Sequence, residues 1–257
     1  MSTFLFSETI FGPIHSRRLG SSLGVNLLPV SRKYCNFNCV YCECGANTPG
    51  GSITLPSRYE VKDALLQKLA QLYADNQPVD SITFAGNGEP TIHPDFAGII
   101  DDVINLRSRF YPNAKVSVLS NATMINNQQI VDALKKVDMN ILKLDSALDA
   151  TVKAVNRPTA HYTVSDTVNL LKQFNGKFIL QTMFFEGDVN GLHINNMAEN
   201  ELSAWLKIVD ELRPQQVMIY TIDRDTPEKT LRKATHQELE NIKNKISELG
   251  VNVQVSE

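Results

Sequence analysis

The chain alternates repeatedly between a short apolar run and a longer segment whose apolar residues recur at helical spacing, and this limits the folds open to it. Ser81-Ile82-Thr83-Phe84 leads to a helix opened by Pro94, with Phe96, Ile99, Ile100, Val103 and Leu106 on one face. Val116 to Leu119 precedes Ile130, Leu134 and Val137. Met139 to Leu144 precedes helical material that stops near Phe174-Asn175-Gly176. Phe178 to Phe185 is followed by Leu202, Trp205, Leu206, Val209 and Leu212, closed by Pro214. Val217 to Tyr220 is followed by Leu239, Ile242, Ile246 and Leu249, closed by Gly250. Two helix starts carry capping-box spacing, Ser57 with Glu60 and Thr235 with Glu238. Gly24 to Val30 reads as a first strand and Val251 to Val255 as a last one. A run of about six βα units implies a parallel sheet covered by helices, as a full or partial barrel or a doubly wound sheet. Both architectures build sites at the C-terminal ends of strands. Those ends read Gly86-Asn87-Gly88-Glu89, Ser120-Asn121, Asp145-Ser146, Glu186-Gly187 and Thr221-Ile222-Asp223, all polar or small except Ile222.

Composition narrows the classes. With 257 residues, 42% apolar and 21% charged, the chain can bury a substantial core and reads as an ordinary globular protein. A net charge of −3 provides no broad basic field for nucleic acid. Arg17-Arg18, Arg32-Lys33 and Lys229 to Lys233 are local basic segments that read first as solvated surface. No basic, apolar leader opens the chain, and no apolar run reaches the roughly 18–20 residues of a membrane span, so a cytoplasmic location without membrane contact is expected. The five histidines show no ligand spacing, and His93 before Pro94 reads as a helix-entry residue.

All four cysteines, Cys35, Cys39, Cys42 and Cys44, lie together just after the first strand, on the expected active rim. In a reducing compartment such clustering means metal or catalysis. Three readings compete. Structural zinc prefers two close ligand pairs separated by a longer loop, which is absent here. A redox pair would use Cys39-x-x-Cys42 but leaves Cys35 unexplained. An iron–sulfur cluster would take Cys35, Cys39 and Cys42 on three corners and leave one iron open to a small molecule. Cys44, with one intervening residue after Cys42, has little freedom to reach a separate corner.

The spacing Cys35-x3-Cys39-x2-Cys42, with Tyr41 before the last cysteine, closely resembles the signature of the radical S-adenosylmethionine (SAM) superfamily. Phe84-Ala85-Gly86-Asn87-Gly88-Glu89-Pro90-Thr91 is similar to that family's glycine-rich strand end, with Asn87 in place of a glycine. The resemblance implies a partial (β/α)6 barrel of the α/β class with parallel strands. It also implies a [4Fe–4S] cluster on Cys35, Cys39 and Cys42, with SAM on the open iron. Around SAM it places Tyr41, Gly86, Asn87, Gly88 and Glu89, with Gly88 allowing close approach of the methionine amino group. It adds Ser120, Asn121 and Asp145 at the methionine carboxylate or ribose, and Gln181 and Met183 at the ribose and adenine.

A narrower resemblance rests on Phe11 to Gly24, on Lys143-Leu144-Asp145-Ser146-Ala147 and on Asn156-Arg157-Pro158. These segments are similar to a small group of iron–sulfur oxidoreductases and to the catalytic domain of the wyosine synthases, which remodel a guanosine of transfer RNA. The second-cluster cysteines of the wyosine enzymes are missing here. The expected organisation is a single domain: a leader over 1–23, a core over 24–225, and a C-terminal helix and strand over 226–257. The implied chemistry is reductive cleavage of SAM to a 5′-deoxyadenosyl radical that abstracts hydrogen from a substrate, fed by a flavodoxin- or ferredoxin-type reductant. RNA or a partner protein is the expected substrate, and Arg17, Arg18 and Arg157 are candidates for contacting its phosphates or carboxylates. A glycyl-radical activase is the alternative enzyme; a cluster serving only electron transfer, or a zinc-binding protein, is the alternative outside catalysis.

Overall fold

The computed structural model describes residues 4–16, 18–48, 50 and 53–257. Strand β1 (Ile10–Ser16) turns back into β2 (Gly20–Val25), and α1 (Arg58–Ala74), β3 (Ser81–Phe84) and α2 (Phe96–Phe110) follow. Next come β4 (Lys115–Ser120), α3 (Gln128–Leu134), β5 (Met139–Lys143), α4 (Asp149–Asn156) and α5 (Val164–Leu171). The chain continues through β6 (Ile179–Met183), β7 (Phe185–Val189), β8 (Leu192–Asn195) and α6 (Glu199–Leu212). It ends with β9 (Gln216–Tyr220), β10 (Arg232–Lys233), α7 (His236–Glu248) and β11 (Val253–Ser256).

The main sheet has eight strands in the order β1-β2-β3-β4-β5-β6-β9-β11. All neighbours from β2 onward pair in parallel, and β1 is the antiparallel edge. Parallel strands added in sequence order, without a reversal point, exclude the doubly wound alternative, whose site lies where the order reverses. The sheet curls into a half-barrel, the partial barrel expected of the α/β class. Its outer face packs Leu23, Ile82, Phe84, Val116, Val118 and Leu142 against Val61, Leu65, Phe96, Ile100 and Trp205 of the helices. Inside, Ile141, Ile179 and Met218 with Leu19, Leu119 and Met139 form an apolar plug.

Both capping boxes form as the spacing predicts: Ser57 accepts from Glu60 N, and Glu60 accepts from Ser57 N at 2.7 Å. Ser57→Ala should therefore cost about 1 kcal/mol, seen as a lower urea midpoint at unchanged slope. No helix among the described residues is long and apolar enough to cross a membrane.

Two sequence expectations need correction. The first parallel strand spans Gly20–Val25, not Gly24 to Val30. It stops because the Asn26 side chain accepts from Leu28 N at 3.2 Å, which turns the backbone, and Pro29 has no N–H to continue a ladder. Glu186-Gly187 is not a barrel strand end either. The apolar run from Phe178 to Phe185 is split: β6 ends at Met183, and β7 joins β8 and β10 in a separate antiparallel sheet. Asn196 makes the break, donating to Met183 O at 2.7 Å and Asp145 O at 2.9 Å and accepting from Phe185 N at 3.0 Å.

Candidate active site

The cysteine loop is fastened from three sides. Tyr34 N donates to Asn87 O at 2.8 Å and Glu89 N donates to Tyr34 O at 3.2 Å, so the loop pairs with the glycine-rich end of β3. Asn38 N and Val40 N donate to Asn156 O and Val155 O, at 2.8 and 2.9 Å, at the end of α4. Val40 and Tyr41 pack on Val155, Met183, Phe185, Val189 and Ile194, so the small sheet forms the back wall of the loop. Gly88 is required by this docking. Its φ is +145°, and a Cβ there would sit 1.9 Å from the Tyr34 carbonyl oxygen. The close approach that demands glycine is thus already made by the protein itself.

Cys35, Cys39, Cys42 and Cys44 line one cavity of about 160 Å³ together with Lys33, Gly86, Gly88, Asn121, Lys143 and Gln181. Polar hydrogens point at the sulfurs. Cys35 Sγ accepts from Phe37 N at 3.3 Å and Asn121 Nδ2 at 3.6 Å, and Cys39 Sγ accepts from Asn156 Nδ2 at 3.4 Å. Burial and the Glu89 charge push the Cys35 thiol up to about 12, and burial also raises Cys39. Cys42 is lowered to about 5: its hydrogen bond with Cys44 and the Lys33 ammonium together outweigh burial. Cys44 is raised by that same contact and by burial, and its Sγ also lies 3.5 Å from Gly86 O. Lys33 is only 3% exposed, and its Nζ donates to Gly45 O at 3.0 Å. Among the described residues this buried ammonium has no carboxylate partner; it needs negative charge nearby, and the Cys42 thiolate can provide it.

Among the described residues, no three His, Cys, Asp or Glu side chains converge as they would on a single metal ion. Soft thiols spread around one cavity, with N–H donors aimed at them and a buried cation beside them, fit an anionic iron–sulfur cluster better than tetrahedral zinc.

The other expected site residues divide into those at the cavity and those behind it. Gly86, Gly88, Ser120, Asn121 and Gln181 border the cavity with Tyr41. Gln181 is 6% exposed, and its amide has no protein partner among the described residues, leaving it available to a ligand. Glu89 also borders the cavity, but its carboxylate is engaged, accepting from Asn121 N at 2.7 Å, Ser120 Oγ at 2.8 Å and Thr91 N at 3.1 Å. It clamps the end of β3 to the end of β4. Asn87 faces the opposite way, exchanging hydrogen bonds with Phe6 N and Phe6 O at 2.9 Å each and donating to Pro29 O at 2.9 Å.

Asp145 is the hub of a buried polar cluster. It accepts from Tyr41 OH, from Asn156 Nδ2 at 2.7 Å and from Met183 N at 3.2 Å, and its carboxylate lies 3.3 Å from Lys143 Nζ. Burial lowers the Lys143 pKa, but Asp145, Cys39 and Tyr220 outweigh burial and hold it above the ordinary lysine value, so it remains charged. Lys143 and Asn156 reach the site without having been singled out as site residues. The signal for Lys143 was alternation along β5, which places it on the inner face with Met139 and Ile141.

A second cavity, of about 540 Å³, shares Tyr41, Cys42, Cys44, Gly86 and Leu119 with the first and holds Met183, Tyr220 and Arg18. Arg157 is not at either of these cavities; it is paired with Glu228 at 2.8 Å. Arg17 lies outside the described residues.

Comparison with known proteins bears on the fold and the family. The chain is 29% identical over 243 residues to a Brachyspira hyodysenteriae protein named GTPase Obg, covering 93% of this chain and 33% of that one. It is 28% identical over 218 residues to a Helicobacter pylori UPF0026 protein, covering 84% of this chain and 66% of the relative. The chain thus spans less than two thirds of the length of these relatives. Among solved structures, a radical SAM methyltransferase from Sphaerobacter thermophilus superposes with a TM-score of 0.68 at 12% identity, over 91% of this chain and 65% of that one. Streptococcus suis SuiB bound to S-adenosylmethionine gives 0.65 at 16% identity, over 91% and 50%. Archaeal TYW1 gives 0.50 at 12%, over 88% and 71%. The family model described as Radical SAM superfamily matches residues 31–190, from the cysteine loop to the end of β7, and the chain belongs to that superfamily.

Proposed function

We propose that the protein is a radical SAM enzyme in which Cys35, Cys39 and Cys42 hold a [4Fe–4S] cluster, with SAM bound beside it at the C-terminal strand ends. When bound and reduced, such a cluster cleaves SAM to methionine and a 5′-deoxyadenosyl radical that takes hydrogen from a substrate. The observation that carries this reading is the cavity: three thiols at the C-terminal rim of a half-barrel, facing Gly88, Asn121 and the unpartnered amide of Gln181. Asn121 and Asn156 orient and hydrogen-bond two of the sulfurs. Glu89 locks the strand end that carries Asn121, and Asp145 holds Lys143 and Asn156, the latter at the end of α4. The half-barrel wall and the small sheet shield the centre from water.

The electron donor is a flavodoxin- or ferredoxin-type protein. The substrate is a nucleoside within RNA or a partner protein, with wyosine-like tRNA chemistry favoured by the leader, Lys143 to Ala147 and Asn156-Arg157-Pro158. Lys33, a fixed buried cation beside the thiolates, should favour the more negative reduced cluster. Lys33→Met is accordingly expected to shift the cluster's midpoint potential to a more negative value, measured by redox titration.

Anaerobic reconstitution with iron and sulfide tests the proposal. About four irons per chain and saturable SAM binding are expected. Purification with one stoichiometric zinc, and no SAM binding after reconstitution, would contradict it.

A further inference from the structure

Arg18 comes from the turn before β2, at the N-terminal end of the strands, and reaches into the half-barrel as far as Tyr220 with its guanidinium incompletely used. Its Nη1 is shielded from solvent and has no hydrogen-bond partner. The guanidinium carbon lies 4.8 Å from the centroid of the Tyr220 ring, which positions the group without satisfying its N–H donors. Two other arginines are paired: Arg224 with Glu43 at 2.7 Å and Arg157 with Glu228 at 2.8 Å. No ion pair to Arg18 is formed among the described residues. A buried charged donor left unmade is costly, and an oxyanion is the group that matches its planar fork.

The cavity beside Arg18 is of small-molecule size, about 540 Å³. One wall, beside the cysteine loop, is aromatic: Phe4 N donates to Glu43 O at 2.9 Å, Phe6 stacks on Phe11 at 3.7 Å between centroids, and Phe4 is edge-on to Phe6 at 5.0 Å. Cys42 and Cys44 lie on the boundary with the thiol cavity. A molecule held between this wall and Arg18 therefore abuts the site where a radical would be generated.

We propose that this second cavity is the substrate site, that Arg18 binds a phosphate or carboxylate of the substrate, and that the phenylalanine wall takes a flat apolar part of the same molecule. The proposal deepens the radical SAM reading and rests on it.

Calorimetric titration of the anaerobically reconstituted chain with phenyl phosphate, benzoate and benzyl alcohol tests it. At least one anion should bind about tenfold or more tightly than benzyl alcohol, and the stronger of the two identifies the preferred oxyanion. Arg18→Met should lose that advantage, and Arg18→Lys, which keeps the charge without the fork, should retain part of it. If Arg18→Met fails to fold, a partial loss in Arg18→Lys carries the test. Equal binding of anions and benzyl alcohol, or anion affinity unchanged by either substitution, overturns the assignment of Arg18. The two levels separate cleanly. A loaded chain that cleaves SAM without Arg18-dependent anion binding removes this inference alone, whereas Arg18-dependent anion binding by a chain that takes up no iron removes the radical reading.

Discussion

Replacing Cys35, Cys39 or Cys42 by Ala should take the reconstituted protein from about four irons per chain to almost none, because a cubane held at three corners loses its hold when one is removed. Cys44→Ala should keep its iron. Cys44 lines the same cavity, but burial and the neighbouring Cys42 raise its thiol, and its Sγ lies 3.5 Å from the Gly86 carbonyl. Iron and sulfide analysis with visible absorbance on the four variants checks the assignment. Loss of the cluster in Cys44→Ala, with retention in any of the other three, would reverse the ligand set.

Gly88→Ala is expected to be the most damaging glycine-to-alanine change among the described residues. The new Cβ would lie 1.9 Å from a backbone oxygen rather than from a flexible side-chain end, and the +145° φ is foreign to alanine. Strain of this kind together with forced repacking costs about 2–4 kcal/mol. The oxygen it strikes belongs to Tyr34, next to Cys35, and the Tyr34 pairing with Asn87 and Glu89 is what docks the cysteine loop. Stability and iron loading should therefore fall together, the first seen by urea unfolding and the second by metal analysis. A variant with native stability and full iron content would show that the loop is not held by this contact.

The sequence showed the parallel βα succession and the rim because both are local. Apolar periodicity sets strands and helices, and capping residues such as Ser57 and Thr235 mark helix starts within one turn. The cysteine loop was legible for the same reason, since its spacing is confined to a few residues. What stayed hidden depends on partners far apart in the chain. Asn87 looked like a cofactor residue, yet its amide is spent on Phe6, 81 residues away. Glu89 sat in a cofactor-binding motif, and its oxygens are taken by the next strand end, 31 and 32 residues on. The small sheet of β7, β8 and β10 went unseen because Phe178 to Phe185 is one continuous apolar run. Only the Asn196 side chain, folding back on Met183 and Phe185, divides it. Asn156 lay within a recognised segment, but its amide's reach to Cys39 and Asp145 exists only once α4 is docked.

Anaerobic incubation of the reconstituted protein with dithionite and SAM, followed by chromatography for 5′-deoxyadenosine, addresses the central claim most directly. The account predicts that 5′-deoxyadenosine and methionine form together, and only when the protein carries its cluster. An intact, reduced cluster that leaves SAM uncleaved would contradict it.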